Sequence, residues 1–142
     1  HRFGSQYQDF QGLENWTTEQ DVLSLFEEQG LTTDFANLAC RKGAGFDAKE
    51  RQYNNNYDQP LFYVVERGPG PRTLDSALLW QAQSLGIEIR FNSRLREITN
   101  KGIMAAGPKA ADAVSAGYHF TTDMDDGYWV ICDDNLAAKG YS

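Results

Sequence analysis

The run Gly68-Pro69-Gly70-Pro71 is the strongest constraint on how this chain folds. Proline fixes φ and has no N–H to donate, and alternating glycines leave no regular element able to cross it. It therefore divides two well-formed patterns. Before it, residues 61–66 (LFYVVE) are a β-branched and aromatic run that begins after Pro60, as a strand requires. After it, Thr73 offers an N-cap hydroxyl to a helix over residues 73–85. Leu74, Ala77, Leu78, Ala82 and Leu85 form one apolar face of that helix, with Gln81 and Gln83 toward solvent. Gly86 ends it, and residues 87–91 (IEIRF) alternate as a second strand. Strand, helix and strand with short connections indicate an α/β layer, so the expected class is α/β with an α+β mix.

The flanks are less regular. Residues 1–16 are aromatic, glycine-containing and aperiodic, and read as an extended loop. Thr17 or Thr18 can cap a helix carrying Val22, Leu23, Leu25 and Phe26, with Gln20 completing a capping box and Gly30 as the stop. Residues 42–60 are rich in Gly, Asn, Asp and Gln, and Asn54-Asn55-Asn56 favours turns, so the stretch is a long connection or a loose hairpin. Residues 103–107 (IMAAG) form a short glycine-ended strand. Residues 118–121 and 128–132 form two more, joined by the acidic tip 123–127. That tip is too short for a calcium loop and reads as a solvated turn. The organisation is one domain or fragment over 1–142: a loop-rich 1–60 with one helix, a strand–helix–strand unit with a short strand over 61–107, and a hairpin over 108–142.

Composition removes several functions. A net charge of −7 disfavours a nucleic-acid partner, which needs clustered Lys and Arg. No apolar run approaches the roughly 20 residues of a membrane span. Cys40 and Cys132 are far apart, lack a CxxC, and have only His1 and His119 to accompany them, so a zinc site is rejected. Two reduced thiols and no signal peptide give a cytoplasmic expectation. The chain begins at His1 rather than Met, from which we expect that processing or a cut boundary removed an earlier segment. Its serines lack a G-x-S-x-G setting, and no nucleophile, triad or general-base pair is present, so catalytic residues stay unassigned.

Arg67, Leu74, Asp75, Leu78, Ala82 and Gly86 resemble a motif of glutathione-reductase-type flavoproteins and their hydroxylase and geranylgeranyl-reductase relatives. Residues 103–108 (IMAAGP) resemble the short strand that ends in Ala-Thr-Gly in those enzymes, with Ala106 where Thr is usual. Phe3, Gly4 and Ser5 fall where the family's chain leaves its ribose-binding strand and passes the flavin, and Gly140-Tyr141 resemble the start of a Gly-Tyr-x-Trp substrate segment. The resemblance covers most of the chain in the right order.

The resemblance implies a partial FAD/NAD(P)-binding-type fold with an antiparallel substrate-side sheet. It implies an FAD-dependent reductase or dehydrogenase acting on a small apolar, isoprenoid-like molecule. Phe3, Gly4, Ser5, Arg67, Ala106 and Gly107 would meet the cofactor, and Tyr118, Gly140 and Tyr141 the substrate. Arg67 suits a phosphate or a flavin edge, being always charged and able to donate paired hydrogen bonds; its plain alternative is a cation beside a turn. Gly107 either lets backbone approach adenine or ends a strand. Asp75 reads best as a first-turn carboxylate at the helix dipole. Trp16, Trp80 and Trp129 read as core or interface anchors, and Tyr53, Tyr57, Tyr63, Tyr118 and Tyr141 can shape an apolar pocket.

The family's G-x-G-x-x-G is missing, together with the acidic residue that follows it. Roughly the first 30–35 residues of the family, a βαβ length, and its final part are therefore expected to be absent, and with them a tight FAD grip and activity of the chain alone. Uncovered strand edges lead us to expect self-association. Two other readings stand beside this one: a non-enzymatic binding module that lost the cofactor, and a fragment of an aromatic-ring hydroxylase.

Overall fold

The computed structural model describes residues 9–93, 101–103, 105, 118 and 120–137. These form a mixed α and β structure with two small sheets and two helices among the described residues.

The first sheet is built around β5 (Phe62–Arg67), which lies between β1 (Asp9–Glu14) and β2 (Asn37–Cys40), antiparallel to both. Alternation decides its faces. Tyr63 and Val65 are buried at 8% and 2% exposure, and both point toward the helices. α2 (Leu74–Ser84) covers that face through Leu74 and Ala77. α1 (Val22–Glu28) adds Val22, Leu23 and Phe26, and Phe35 completes the core, its ring meeting Phe26 edge-on at 6.5 Å.

β2 runs into β3 (Lys42–Asp47) with only Arg41 between them, carrying the chain into the second sheet. There β3 lies between β4 (Gln52–Asn56), antiparallel to it, and β6 (Tyr128–Cys132), parallel to it. Tyr128 packs on Phe62 at 5.3 Å between ring centroids and joins the second sheet to the face of the first opposite α1 and α2. This approach requires Gly43, because a Cβ there would stand 2.5 Å from the Tyr128 carbonyl oxygen.

Several expectations need correction. The one helix expected within residues 1–60 is present as α1, but residues 9–60 are not loop-rich: four strands lie between Asp9 and Asn56. β1 escapes notice because Gly12 interrupts its pattern and its partner β5 is far along the chain. The loose hairpin expected within 42–60 is present as β3 and β4, despite the turn-favouring asparagines. Asp47 ties its turn by accepting from the Lys49 amide at 2.9 Å, the Arg51 amide at 3.0 Å and Arg51 Nε at 2.7 Å. α1 is capped by Asp21, not Thr17 or Thr18; its carboxylate accepts from the amides of Leu23 and Ser24. Residues 87–91 form no strand: they join neither sheet, and the Ile87 amide donates back to the Ala82 carbonyl of α2 at 3.0 Å. The hairpin placed in 108–142 is replaced by a long-range parallel pairing of β6 with β3, and Tyr118, Phe120 and Thr121 lie outside any element. Of the strand expected over 103–107, Met104, Ala106 and Gly107 lie outside the described residues, and Ile103 and Ala105 are in no strand.

The β5–α2 unit follows expectation closely. Thr73 caps α2, Leu85 ends it, and Gly86 turns the chain at φ +76°. Two side chains differ. Leu85 is 69% exposed rather than buried, because it has left the last turn of the helix. Gln81 does not face open solvent: it accepts from the Thr32 amide at 3.0 Å and donates to the Gly30 carbonyl at 2.6 Å.

No helix among the described residues is long and apolar enough to cross a membrane, and no group of His, Cys, Asp or Glu among them is arranged to hold a metal.

Candidate functional site

The candidate site grows from the turn between β5 and α2. Arg67 closes β5 and Asp75 stands in the first turn of α2, so the Gly-Pro turn folds one back onto the other. Arg67 Nε and Nη2 each donate to Asp75 at 2.7 Å, forming a two-pronged ion pair, and Nη1 donates to the Gln11 side chain on β1. The Gly68 amide donates to the same carboxylate at 2.7 Å. Thr73, fully buried, donates from its hydroxyl to the carbonyls of Gly68 at 2.6 Å and Gly70 at 3.1 Å, and accepts from the Ser76 amide. Gly68 at φ +107° permits the reversal.

The electrostatics follow from these contacts. The Arg67 guanidinium, opposed by burial and helped by the Gly68 amide, holds the Asp75 carboxyl below its ordinary range. Asp75 in turn raises the Arg67 pKa. The guanidinium therefore brings little net charge to a ligand. Three of its N–H directions are committed within the protein, so it positions the β5–α2 corner.

A second polar cluster lies where α1 starts. Burial pushes the Asp21 carboxyl up, but Tyr63 Oη donating at 2.6 Å, the amides of Leu23 and Ser24, and Asn15 outweigh it and leave it below its usual value. The Tyr63 hydroxyl is pushed up to about 12 by burial, by that bond and by the Asp21 charge, and so remains a proton donor at neutral pH. Asn15 joins the cluster to the rest of the fold by accepting from the Val22 amide and donating to the Pro60 carbonyl. Asp21 and Asn15 are not among the residues expected from sequence, where Thr17 and Thr18 compete as caps; an Asp immediately before Val22 is the signal that identifies the cap.

Of the site residues expected from sequence, Arg67 sits in this corner. Tyr118 is 90% exposed and outside any element. Phe3, Gly4, Ser5, Ala106, Gly107, Gly140 and Tyr141 lie outside the described residues. The tyrosines do not line one pocket: Tyr63 is in the core, whereas Tyr53 and Tyr57 are largely exposed on and beside β4. Trp16, Trp80 and Trp129 are each more than half exposed, which removes them from the core. Cys40 is buried and burial raises its thiol pKa, while Cys132 is exposed.

Two open clefts lie apart from these clusters. One, about 410 Å³, lies along α2 beside Trp80 and Gln81 and faces Thr32 and Asp34. The other, about 220 Å³, lies on the second sheet beside Trp129. Compared with known proteins, the chain matches no protein-family model, no curated protein and no solved structure.

Proposed function

We propose that this chain belongs to an FAD-dependent oxidoreductase, a reductase or dehydrogenase acting on an apolar, isoprenoid-like substrate. One observation carries the reading. Residues that resemble the flavoprotein motif have matched structural duties around α2: Arg67 holds Asp75 across the turn, Leu74 packs on the core and Gly86 turns the chain out of the far end of the helix. A motif arising by chance has no reason to place its polar members in contact across a turn.

The described residues do not fit a dinucleotide pyrophosphate. Arg67 is the one cofactor candidate among them, and its charge is compensated by Asp75. The G-x-G-x-x-G turn, which would supply backbone N–H groups to an anion, is absent from the sequence, and the turn that opens α2 carries Pro69 and Pro71, which have no N–H to donate. The role supported for this chain is therefore the frame beside the cofactor: the first sheet and α2 orient the corner, and the second sheet lies beyond it.

The test is flavin content. Expressed from its complete reading frame, the protein is expected to purify with flavin absorbance and to release one FAD per chain on heating. The 142-residue chain alone is expected to hold no stoichiometric FAD. A colourless protein from the complete frame that takes up no added FAD overturns the reading.

A further inference from the structure

The outward face of the second sheet carries a small trough unrelated to the Arg67 corner. Register sets its geometry. Asn54 on β4, Ala44 on β3 and Trp129 on β6 lie in one row across the sheet, and therefore on one face. Ala44, only 3% exposed, is the floor, while Trp129 is 52% exposed and forms one wall. The two walls are two strand spacings apart, about 9.6 Å between backbones. The edge of the indole ring lies against Gly127, where a Cβ would stand 3.5 Å from it, so the wall is held by backbone.

The opposite wall is polar and internally ordered. Gln52 Nε2 donates to Asn54 Oδ1 at 2.6 Å. That bond uses one Gln52 N–H and the Asn54 oxygen, so the Gln52 carbonyl remains an acceptor and the Asn54 amide a donor. An acceptor and a donor on one wall can serve hydroxyls, each of which both donates and accepts. Lys42, Asp125 and Asp126 line the same cleft, and none of them forms an ion pair among the described residues. Two carboxylates against one ammonium leave a net negative charge, which repels anions. Carboxylates also accept strongly from hydroxyl groups. The volume, about 220 Å³, is below the usual range of drug-sized pockets and suits one small ring.

We propose that this trough binds a neutral sugar or cyclic polyol, its C–H face stacked on Trp129 and two neighbouring hydroxyls paired with Gln52 and Asn54. A flat aromatic wall opposite a paired donor and acceptor is what such a ligand requires, being apolar on its ring faces and polar around its rim. The proposal is separate from the flavin reading. Its measurement needs no flavin, so the two succeed or fail independently.

The experiment uses the full chain with Trp16→Phe and Trp80→Phe, which leaves Trp129 as the one tryptophan reporter. Fluorescence is followed while methyl α-glucopyranoside, methyl β-galactopyranoside and methyl α-mannopyranoside are titrated in separate series, with cyclohexanol and inorganic phosphate as comparisons. At least one glycoside is expected to give a saturable change with a half-point of about 1–10 mM, ordinary for so small a ligand. Gln52→Leu and Asn54→Leu should each weaken it about tenfold, the equivalent of one hydrogen bond. Asn54→Asp keeps the shape but removes the donor, and should weaken it similarly. The proposal is overturned by no saturation with any glycoside at about 100 mM, by an equal response to cyclohexanol, by tighter binding of phosphate, or by unchanged affinity in folded Asn54→Asp.

Discussion

Single residues carry more structural duty here than their sequence neighbourhoods reveal. Asp75 is legible as a helix-start carboxylate, but its fork with Arg67 and its bond to the Gly68 amide depend on how the turn closes. Asp75→Asn should cost about 2 kcal/mol at neutral pH, since it leaves the Arg67 guanidinium, one-third exposed, without its counter-charge. The pH dependence has a definite sign. The folded carboxyl titrates below its ordinary 3.8, so its stabilisation is complete above that value and disappears as pH falls through the lower folded value. Urea midpoints of wild type and variant should therefore differ at pH 7 and converge in strong acid; a constant gap would contradict the assignment. Tyr128 presents the opposite case. Its hydroxyl is buried with no hydrogen-bond partner among the described residues. Tyr128→Phe keeps the contact with Phe62 and should leave stability unchanged or raise it by up to about 1 kcal/mol. A clear loss would reveal a partner for that hydroxyl.

Elements whose determinants are local were readable. β5 has its own β-branched run between breakers, and α2 has a cap, an apolar face and a terminal glycine within a short span. β1 and β4 are different: DFQGLE and QYNNN are poor strand sequences that become strands by pairing with distant or better partners. Residues 87–91 show the converse, a good alternation that joins neither sheet. Two substitutions test the elements directly. Thr73→Ala removes a fully buried hydroxyl that both caps α2 and ties the turn, and should cost about 2 kcal/mol by thermal or urea unfolding. Gly43→Ala on β3 would force a Cβ against the Tyr128 backbone and should cost about 1–3 kcal/mol, whereas Gly45→Ala, with nothing within 4 Å, should be tolerated. Equal effects at the two glycines would mean that β6 does not sit as described.

Among the described residues, the core cluster lies on one side of the first sheet, and strand edges without a paired neighbour remain elsewhere. The sequence places the uncovered edge on a layer of residues 61–66, 87–91 and 103–106, but β5 is the centre of its sheet, flanked on both sides, and 87–91 join neither sheet. Among the described residues, the edge with the strongest pairing character is β6, last in the order β4-β3-β6. Its sequence YWVIC has no charge and no proline, and Trp129 and Ile131 are each about half exposed. Such an edge pairs with another chain unless something blunts it. The net charge of −7 opposes association, but its reach shrinks to about 8 Å at physiological salt, whereas edge pairing occurs in contact. Contact pairing should win once salt screens the repulsion. We therefore expect a dimer or larger species that grows with concentration and with salt, measured by light scattering over a dilution series. Ile131→Lys places a charge on that strand, as natural edge strands do, and should restore the monomer without unfolding the core, which lies on the first sheet. A monomer at every concentration and salt would show that the β6 edge is already protected. An Ile131→Lys variant that still associates would move the contact to the other exposed apolar strip, where Trp80, Leu85 and Ile87 lie on and just beyond α2.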